Sequence, residues 1–398
     1  MNHEAAADAR QQSYGMKIAT VVGARPQFVK AAMVSRAISE SNRLPQGKHA
    51  IREILIHTGQ HYDYEMSDVF FEQLALPKPA YQLGVGSGNH GWQTAEILKR
   101  AEEVLMREQP DAVVVYGDTN STLAGALAAA KLNLPVAHVE AGLRSFNRRM
   151  PEEVNRVLTD HLSDLLFAPT ITAVDNLERE GITQGVLLTG DVMHEAALEH
   201  LERASRSSTI LAQLGLAPQT YALATVHRAE NTDSSEKLQN IVQAFYEIGE
   251  LQPVIWPVHP RTRRALVELE IPRGQKNALQ MIPAVPYGDM LVLEASARVI
   301  LTDSGGVQKE ARWFRVPCVT LRDETEWVET LEDGWNRLAG AKKEKIVQAH
   351  SEAIASPLAR EPYIAIKGHP AQAIVAQLSD FLQEERIASY KHKCEFSF

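Results

Sequence analysis

Two successive stretches of the same alternation constrain this chain most. From Met16 onward, short apolar runs alternate with longer amphipathic segments, which is the pattern of βα units on a parallel sheet. Runs at 17–22, 51–57, 112–116, 136–139, 165–168 and 186–188 read as strands, with helical periodicity at 27–39, 94–107, 121–131 and 153–162. After Gly190 a polar helical stretch, 195–207, carries no strand. The alternation then restarts, with strands at 221–226, 254–258, 279–282, 299–302, 318–321 and 335–338, and helices at 234–251, 261–269, 287–297, 307–314 and 343–354. A chain of 398 residues is long for one core, so two doubly wound α/β halves are expected. The expected division is a disordered leader at 1–15, Rossmann-like domains at 16–190 and 191–369, and a closing helix at 370–390 that packs back on the first half.

Charge and cysteine content narrow the function. A net charge of -9 argues against a nucleic-acid or anionic-membrane surface, so an anionic ligand must be held by a local basic cluster. With only Cys318 and Cys394, neither a disulfide framework nor a cysteine metal site is expected, and the chain reads as cytoplasmic. The leader lacks the apolar core of a signal peptide, and no later stretch approaches the about 18 apolar residues of a membrane span.

In open parallel sheets, ligands sit beyond the carboxyl ends of the strands, and the chemically suggestive residues cluster there. After the strand at 299–302, Asp303, Ser304, Gly305 and Gly306 form a turn into a helix. Two glycines at a helix start let backbone N–H groups approach an anion, and the helix dipole favours a phosphate. Ser304 can add a hydroxyl, and Glu310, further along the helix, can accept from ribose hydroxyls; the alternative is a tight turn with a capping Ser. Gly23-Ala24-Arg25-Pro26 ends the first strand, with Pro26 placed to start a helix and Lys30 one turn in. Gly117-Asp118-Thr119 and His138-Val139-Glu140-Ala141-Gly142-Leu143-Arg144 end two more, and His227 and Arg228 end a strand of the second half. Asp118 is either a reacting carboxylate or a cap for the helix that follows. Glu152 and Glu153 either react or complement a helix dipole. His227 is otherwise a packing histidine, and Arg25 a surface ion-pair partner. Glu140 ends an apolar strand beside Ala-Gly, an unusual place for a carboxylate without a task.

Other patterns fail. His57 and His61 have metal-like spacing but span a strand end and a Gly rather than a helix face. Gly84-Val85-Gly86-Ser87-Gly88 does not follow a long apolar strand, as a dinucleotide loop should.

Taken in order, Gly23 to Pro26, Gly117 to Thr119, His138 to Arg144, Pro151-Glu152-Glu153, Val226-His227-Arg228, Pro257-Val258-His259 and Asp303 to Gly306 resemble the non-hydrolysing UDP-N-acetylglucosamine 2-epimerases. The resemblance implies a glycosyltransferase-B fold with the nucleotide in the interdomain cleft, a homodimer, a UDP-sugar substrate, no NAD and no essential metal. It also implies anti-elimination of UDP to a 1,2-unsaturated 2-acetamidoglucal and re-addition with C2 protonated from the other face, in the supply of surface-polysaccharide precursors. By resemblance Asp118, Glu140 and Glu152 move protons, and His227 with Arg25 stabilises the departing UDP. Lys30, Ser304, Gly305, Gly306 and Arg322 then contact the nucleotide and its phosphates, Glu310 the ribose, and Arg144, Arg228 and His259 complete the binding set.

The chain departs from the family pattern at two places. Gln27 stands where many members carry Glu, and Asp63 stands where many bacterial members carry a Gln that helps hold an allosteric substrate molecule, so no allosteric activation is expected. The segments Thr325 to Glu329 and Ser145 to Arg149 resemble a sub-branch that includes 2-epimerases of UDP-2,3-diacetamido-2,3-dideoxyglucuronic acid, where Arg148 or Arg149 has a sugar carboxylate to meet. A glycosyltransferase of the same fold is the alternative from another class.

Overall fold

The computed structural model describes residues 15–44, 50–60, 76–269, 279–332, 334–355 and 368–395. The expected leader, apart from Gly15, lies outside the described residues, as do His61, Asp63 and the side chains of Arg25 and 385–395. Contacts group the chain into two compact units, Met1–Ala196 with Ala365–Phe398, and Ala197–Ile364.

The first unit carries β1 (Met16–Val22), β2 (Ile51–His57), β3 (Tyr81–Gln82), β4 (Ala112–Tyr116), β5 (Val136–Val139), β6 (Leu165–Ala168) and β7 (Val186–Leu188). They form one sheet in the order β3-β2-β1-β4-β5-β6-β7, with every pairing parallel. β3 was not expected: two residues are too few for any periodicity to register. A parallel sheet with helices on both faces needs strands that are apolar throughout, and β4 shows why. Val113 and Val115 enter the core on one face, while Ala112, Val114 and Tyr116 enter the core on the other. The helix Pro370–Glu395 joins that second core through Ala371, Ile374, Val375, Leu378 and Leu382, and Glu195 accepts the backbone N–H of Ala371 at its start, at 3.0 Å.

The second unit repeats the plan with β8 (Ala222–Thr225), β9 (Val254–Val258), β10 (Leu279–Pro283), β11 (Val299–Thr302), β12 (Cys318–Thr320) and β13 (Asn336–Leu338), all parallel in the order β10-β9-β8-β11-β12-β13. Its core is anchored by Trp256 packed edge-on against Phe245, ring centroids 5.3 Å apart. In each sheet the strand order reverses once, between β1 and β4 and between β8 and β11. Ligand sites of doubly wound sheets lie at that reversal, beyond the strand ends. Among the described residues no helix is long and apolar enough to cross a membrane.

One core residue sets an acid limit on this fold. His350, on the helix Lys343–Ala355, is fully buried, and Gln252 Nε2 lies 2.8 Å from its Nε2, so the ring accepts there and is neutral. Burial, aided by the charge of Arg298, pushes its pKa down from 6.5 to about 4. Between those values the unfolded chain binds a proton that the folded one refuses, so stability falls as pH drops through that window, by up to about 3 kcal/mol at its lower end. Melting curves from pH 7 to 4 should show this loss, and His350→Gln should flatten it.

Candidate active site

Gln27, on the first turn of the helix Arg25–Ser41, ties together the turns after β1 and β4. Its buried amide oxygen accepts from the N–H groups of Gly23 at 2.7 Å and Ala24 at 3.0 Å, while Nε2 donates to Tyr116 O at 2.7 Å and to Thr122 Oγ1 at 2.9 Å. An uncharged amide accepts through its oxygen and donates two N–H bonds through its nitrogen, which gives the Gln at this position a physical reason. Gly23 is held just as tightly: a Cβ there would lie 2.1 Å from Ser121 Oγ and 2.2 Å from Thr58 Oγ1.

One turn along the same helix, Lys30 is buried and its Nζ lies 2.7 Å from Glu140 Oε2 at the end of β5. Glu140 adopts a left-handed backbone, φ 78°, which a non-glycine residue holds only where its surroundings impose it. Gly117, φ 62°, admits this pair: a Cβ there would lie 3.3 Å from Lys30 Nζ and 3.7 Å from Glu140 Oε1. The turn bearing Asp118 therefore lies directly against the Lys30–Glu140 pair.

Asp118 is not a helix cap. Thr119 takes that position for the helix Asn120–Lys131, and the Asp118 carboxylate, partly exposed, pairs with the buried guanidinium of Arg156. Asn155 Nδ2 donates to Asp118 O at 3.0 Å, fixing the same turn from the helix Pro151–Leu162. The two first-turn glutamates of that helix separate in role. Glu153, buried, accepts from Ser145 N at 2.9 Å and Phe146 N at 2.8 Å and lies 3.3 Å from Arg156 Nη1, so it is structural. Glu152 is half-buried and has no ion-pair partner among the described residues.

In the second unit the buried carboxylate of Asp303 stitches the turn after β8 to the turn after β11. It accepts from His227 N at 3.0 Å, Arg228 N at 3.0 Å and Asn231 Nδ2 at 3.1 Å. The His227 ring, 41% exposed at the side chain, stands 6.1 Å from that of His259. Burial first, then the charges of Arg228, His259 and Arg261, hold the His227 pKa below its ordinary value against the pull of Asp303. His259 caps the helix Pro260–Glu268, its Nδ1 accepting from Arg261 N at 3.2 Å. Arg228 is half-buried, and its Nε is a buried donor with no partner among the described residues.

Ser304 caps the helix Gly305–Trp313, accepting from Val307 N at 3.5 Å, which leaves its hydroxyl proton to donate elsewhere. A Cβ on Gly305 would lie 2.4 Å from Glu326 Oε1, so that glycine makes room for a carboxylate at the helix start. Glu326 in turn lies 3.0 Å from Arg322 Nη1, with Arg322 buried and Glu326 slightly exposed. Glu310, also buried, accepts from Tyr287 Oη at 3.0 Å.

Comparison with known proteins places this geometry. Residues 45–379 match the family model for UDP-N-acetylglucosamine 2-epimerase. The chain belongs to the UDP-N-acetylglucosamine 2-epimerase family. It is 55% identical over 336 residues to a UDP-N-acetylglucosamine 2-epimerase homolog of Methanococcus maripaludis, covering 84% of this chain and 91% of that one. It is 51% identical over 339 residues to the UDP-2,3-diacetamido-2,3-dideoxy-D-glucuronate 2-epimerase of Pseudomonas aeruginosa, with the same coverage. Among solved structures, the Methanocaldococcus jannaschii UDP-GlcNAc 2-epimerase in complex with UDP-GlcNAc and UDP superposes with a TM-score of 0.81 at 44% identity, over 92% of this chain and 99% of that one. The Medicago truncatula UGT71G1 complexed with UDP-glucose, at 8% identity and a TM-score of 0.60, shares the fold alone.

For this epimerase-family chain the structure corrects one expected binding residue. Arg144 is turned into protein: Nη1 donates to Asp160 Oδ2 at 2.6 Å and Leu143 O at 2.7 Å, while Nε and Nη2 donate to Glu180 at 2.7 and 2.8 Å. Asp160 also meets His138 Nδ1 at 2.7 Å, and His138 Nε2 lies 2.7 Å from Gly117 O. Arg144 thus belongs to a buried chain that ends on the backbone of the Asp118 turn. Sequence reasoning missed Arg156 and Asp160. For Arg156 a signal existed, since it follows Glu153 at the i,i+3 spacing of a helical ion pair; for Asp160 none did.

Proposed function

We propose that this protein is a UDP-GlcNAc 2-epimerase, interconverting UDP-GlcNAc and UDP-ManNAc by anti-elimination of UDP and re-addition across the resulting 2-acetamidoglucal. The observation that carries the reading is the placing of Asp118 and Glu140 at adjacent strand ends, β4 and β5, beside the reversal of the first sheet, each carboxylate matched to a buried cation. Elimination requires that a carboxylate take the C2 proton as the C1–O bond to UDP breaks; the return step requires a proton delivered to C2 from the other face. Asp118, Glu140 and Glu152 supply these groups. Lys30 and Arg156 screen their charge from an incoming diphosphate. His227, Arg25, Arg228 and His259 stabilise the departing UDP, Ser304, Gly305, Gly306 and Arg322 seat its phosphates, and Glu310 accepts from the ribose. The same reading makes the enzyme a homodimer serving surface-polysaccharide synthesis, as the resemblance implies, and a cytoplasmic one, in line with its two cysteines.

A second reading, epimerisation of UDP-2,3-diacetamido-2,3-dideoxyglucuronate, is favoured by the 51% identity to the Pseudomonas aeruginosa enzyme and by Arg148 and Arg149, both exposed in the segment between Glu140 and Glu152. A planar guanidinium pairs bidentately with a sugar carboxylate. One experiment tests both: incubate the protein with each UDP-sugar in deuterated water, without an acceptor. Deuterium at C2 of epimerised UDP-GlcNAc is the expected result, and retention of all C2 protium would sink the mechanism. Turnover of the uronate alone would establish the second reading.

A further inference from the structure

Glu294, on the helix Tyr287–Ser296, is 1% exposed and hydrogen-bonds side chain to side chain with Glu310, which is 6% exposed on the helix Gly305–Trp313. Two carboxyls in such contact need a proton between them, because a carboxylate only accepts. No Lys or Arg pairs with Glu294 among the described residues; besides Glu310, the titratable groups it faces are the Tyr221 phenol and the Cys318 thiol. Its Oε2 is buried and without a partner among the described residues, a position that would penalise a charge heavily. The proton therefore resides on Glu294 and the charge on Glu310, which also accepts from Tyr287 Oη at 3.0 Å.

We propose that Glu294 is a positioning residue, a neutral carboxylic acid whose O–H, together with that of Tyr287, fixes the Glu310 carboxylate as the acceptor for the nucleotide's ribose diol. The proposal rests on the reading of Glu310 as the ribose contact. Burial, and then the neighbouring Glu310 charge, hold the Glu294 carboxyl well above the usual range. Burial also pushes the Tyr221 phenol up, and Cys318 to about 12, so neither adds charge to this nest near neutrality. When Glu294 finally ionises, two carboxylates face each other and the ribose acceptor is lost from register.

The test is calorimetric titration of UDP and 2′-deoxy-UDP into wild type, Glu294→Gln and Glu294→Leu across pH. Wild type should bind UDP more weakly by roughly tenfold or more as Glu294 ionises on the alkaline side. Glu294→Gln, whose amide N–H donates to Glu310 at every pH, should keep the neutral affinity and lack the alkaline loss. Glu294→Leu should bind UDP about tenfold more weakly throughout. The same alkaline fall in wild type and Glu294→Gln, or undiminished UDP binding by Glu294→Leu, would overturn the proposal. An infrared carbonyl band of a buried protonated acid, present in wild type and absent from Glu294→Gln, reads the proton without ligand, and its absence from wild type sinks the shared pair. Equal binding of UDP and 2′-deoxy-UDP with that band in place sinks instead the ribose reading of Glu310, and with it the ligand assigned to the pair.

Discussion

Changing Asp118, Glu140 or Glu152 singly to its amide is expected to lower turnover by roughly 100-fold or more while UDP still binds, because a positioned acid or base contributes about that much. The three variants should differ in stability, and the structure says how. Glu140→Gln removes the counter-charge of a Lys30 ammonium that is itself buried, so a lower melting temperature should accompany the lost activity. Asp118→Asn leaves Arg156 with Glu153 as a partner and should be milder. Glu152→Gln breaks no ion pair among the described residues and should melt like wild type. Turnover, UDP titration and melting curves on the same preparations separate chemistry from folding. Near-normal turnover in all three would return these carboxylates to structural duties.

The fold was legible because strand and helix periods are local properties of the chain. The all-apolar run that became β4 and the apolar residues 299–301 of β11 announce strands covered on both faces, whereas β3, two residues long, carries no period to detect. The strand-end cluster proposed as the site could be picked out for a related reason: glycine turns and charged residues at strand ends have few local explanations. What could not be read was how those residues partner one another. A guanidinium looks the same in sequence whether it meets a phosphate or a buried carboxylate, so Arg144 was assigned to substrate although it is bound to Asp160 and Glu180. Asp118 and Thr119 are both good caps on paper, and only the geometry shows that Thr119 does the capping. Glu294 sits in an apolar helix of the second unit, and nothing local says that its neighbour across the fold is another carboxylate.

Arg144→Met is expected to destabilise the protein by roughly 3–5 kcal/mol, the penalty for stripping one partner from a buried ion pair. For a unit of this size each kcal/mol moves the melting temperature by about 2–4 °C, so a fall on the order of 10 °C should be seen. Burial alone would raise the Asp160 carboxyl, but the neighbouring His138 and Arg144 outweigh it and hold its pKa below the ordinary value of 3.8. That contribution is present above 3.8, the unfolded value, and is lost as pH falls through the lower folded value, so the deficit of the variant should be full at pH 7 and shrink in stronger acid. The pair Arg144→Met with Asp160→Asn should cost less than the sum of the two single changes, because both remove the same interaction. Since the buried chain ends at Gly117 O, beside Asp118, turnover should fall while UDP affinity holds. An arginine that bound substrate would show the reverse: weakened UDP or sugar binding, with the melting temperature close to that of wild type.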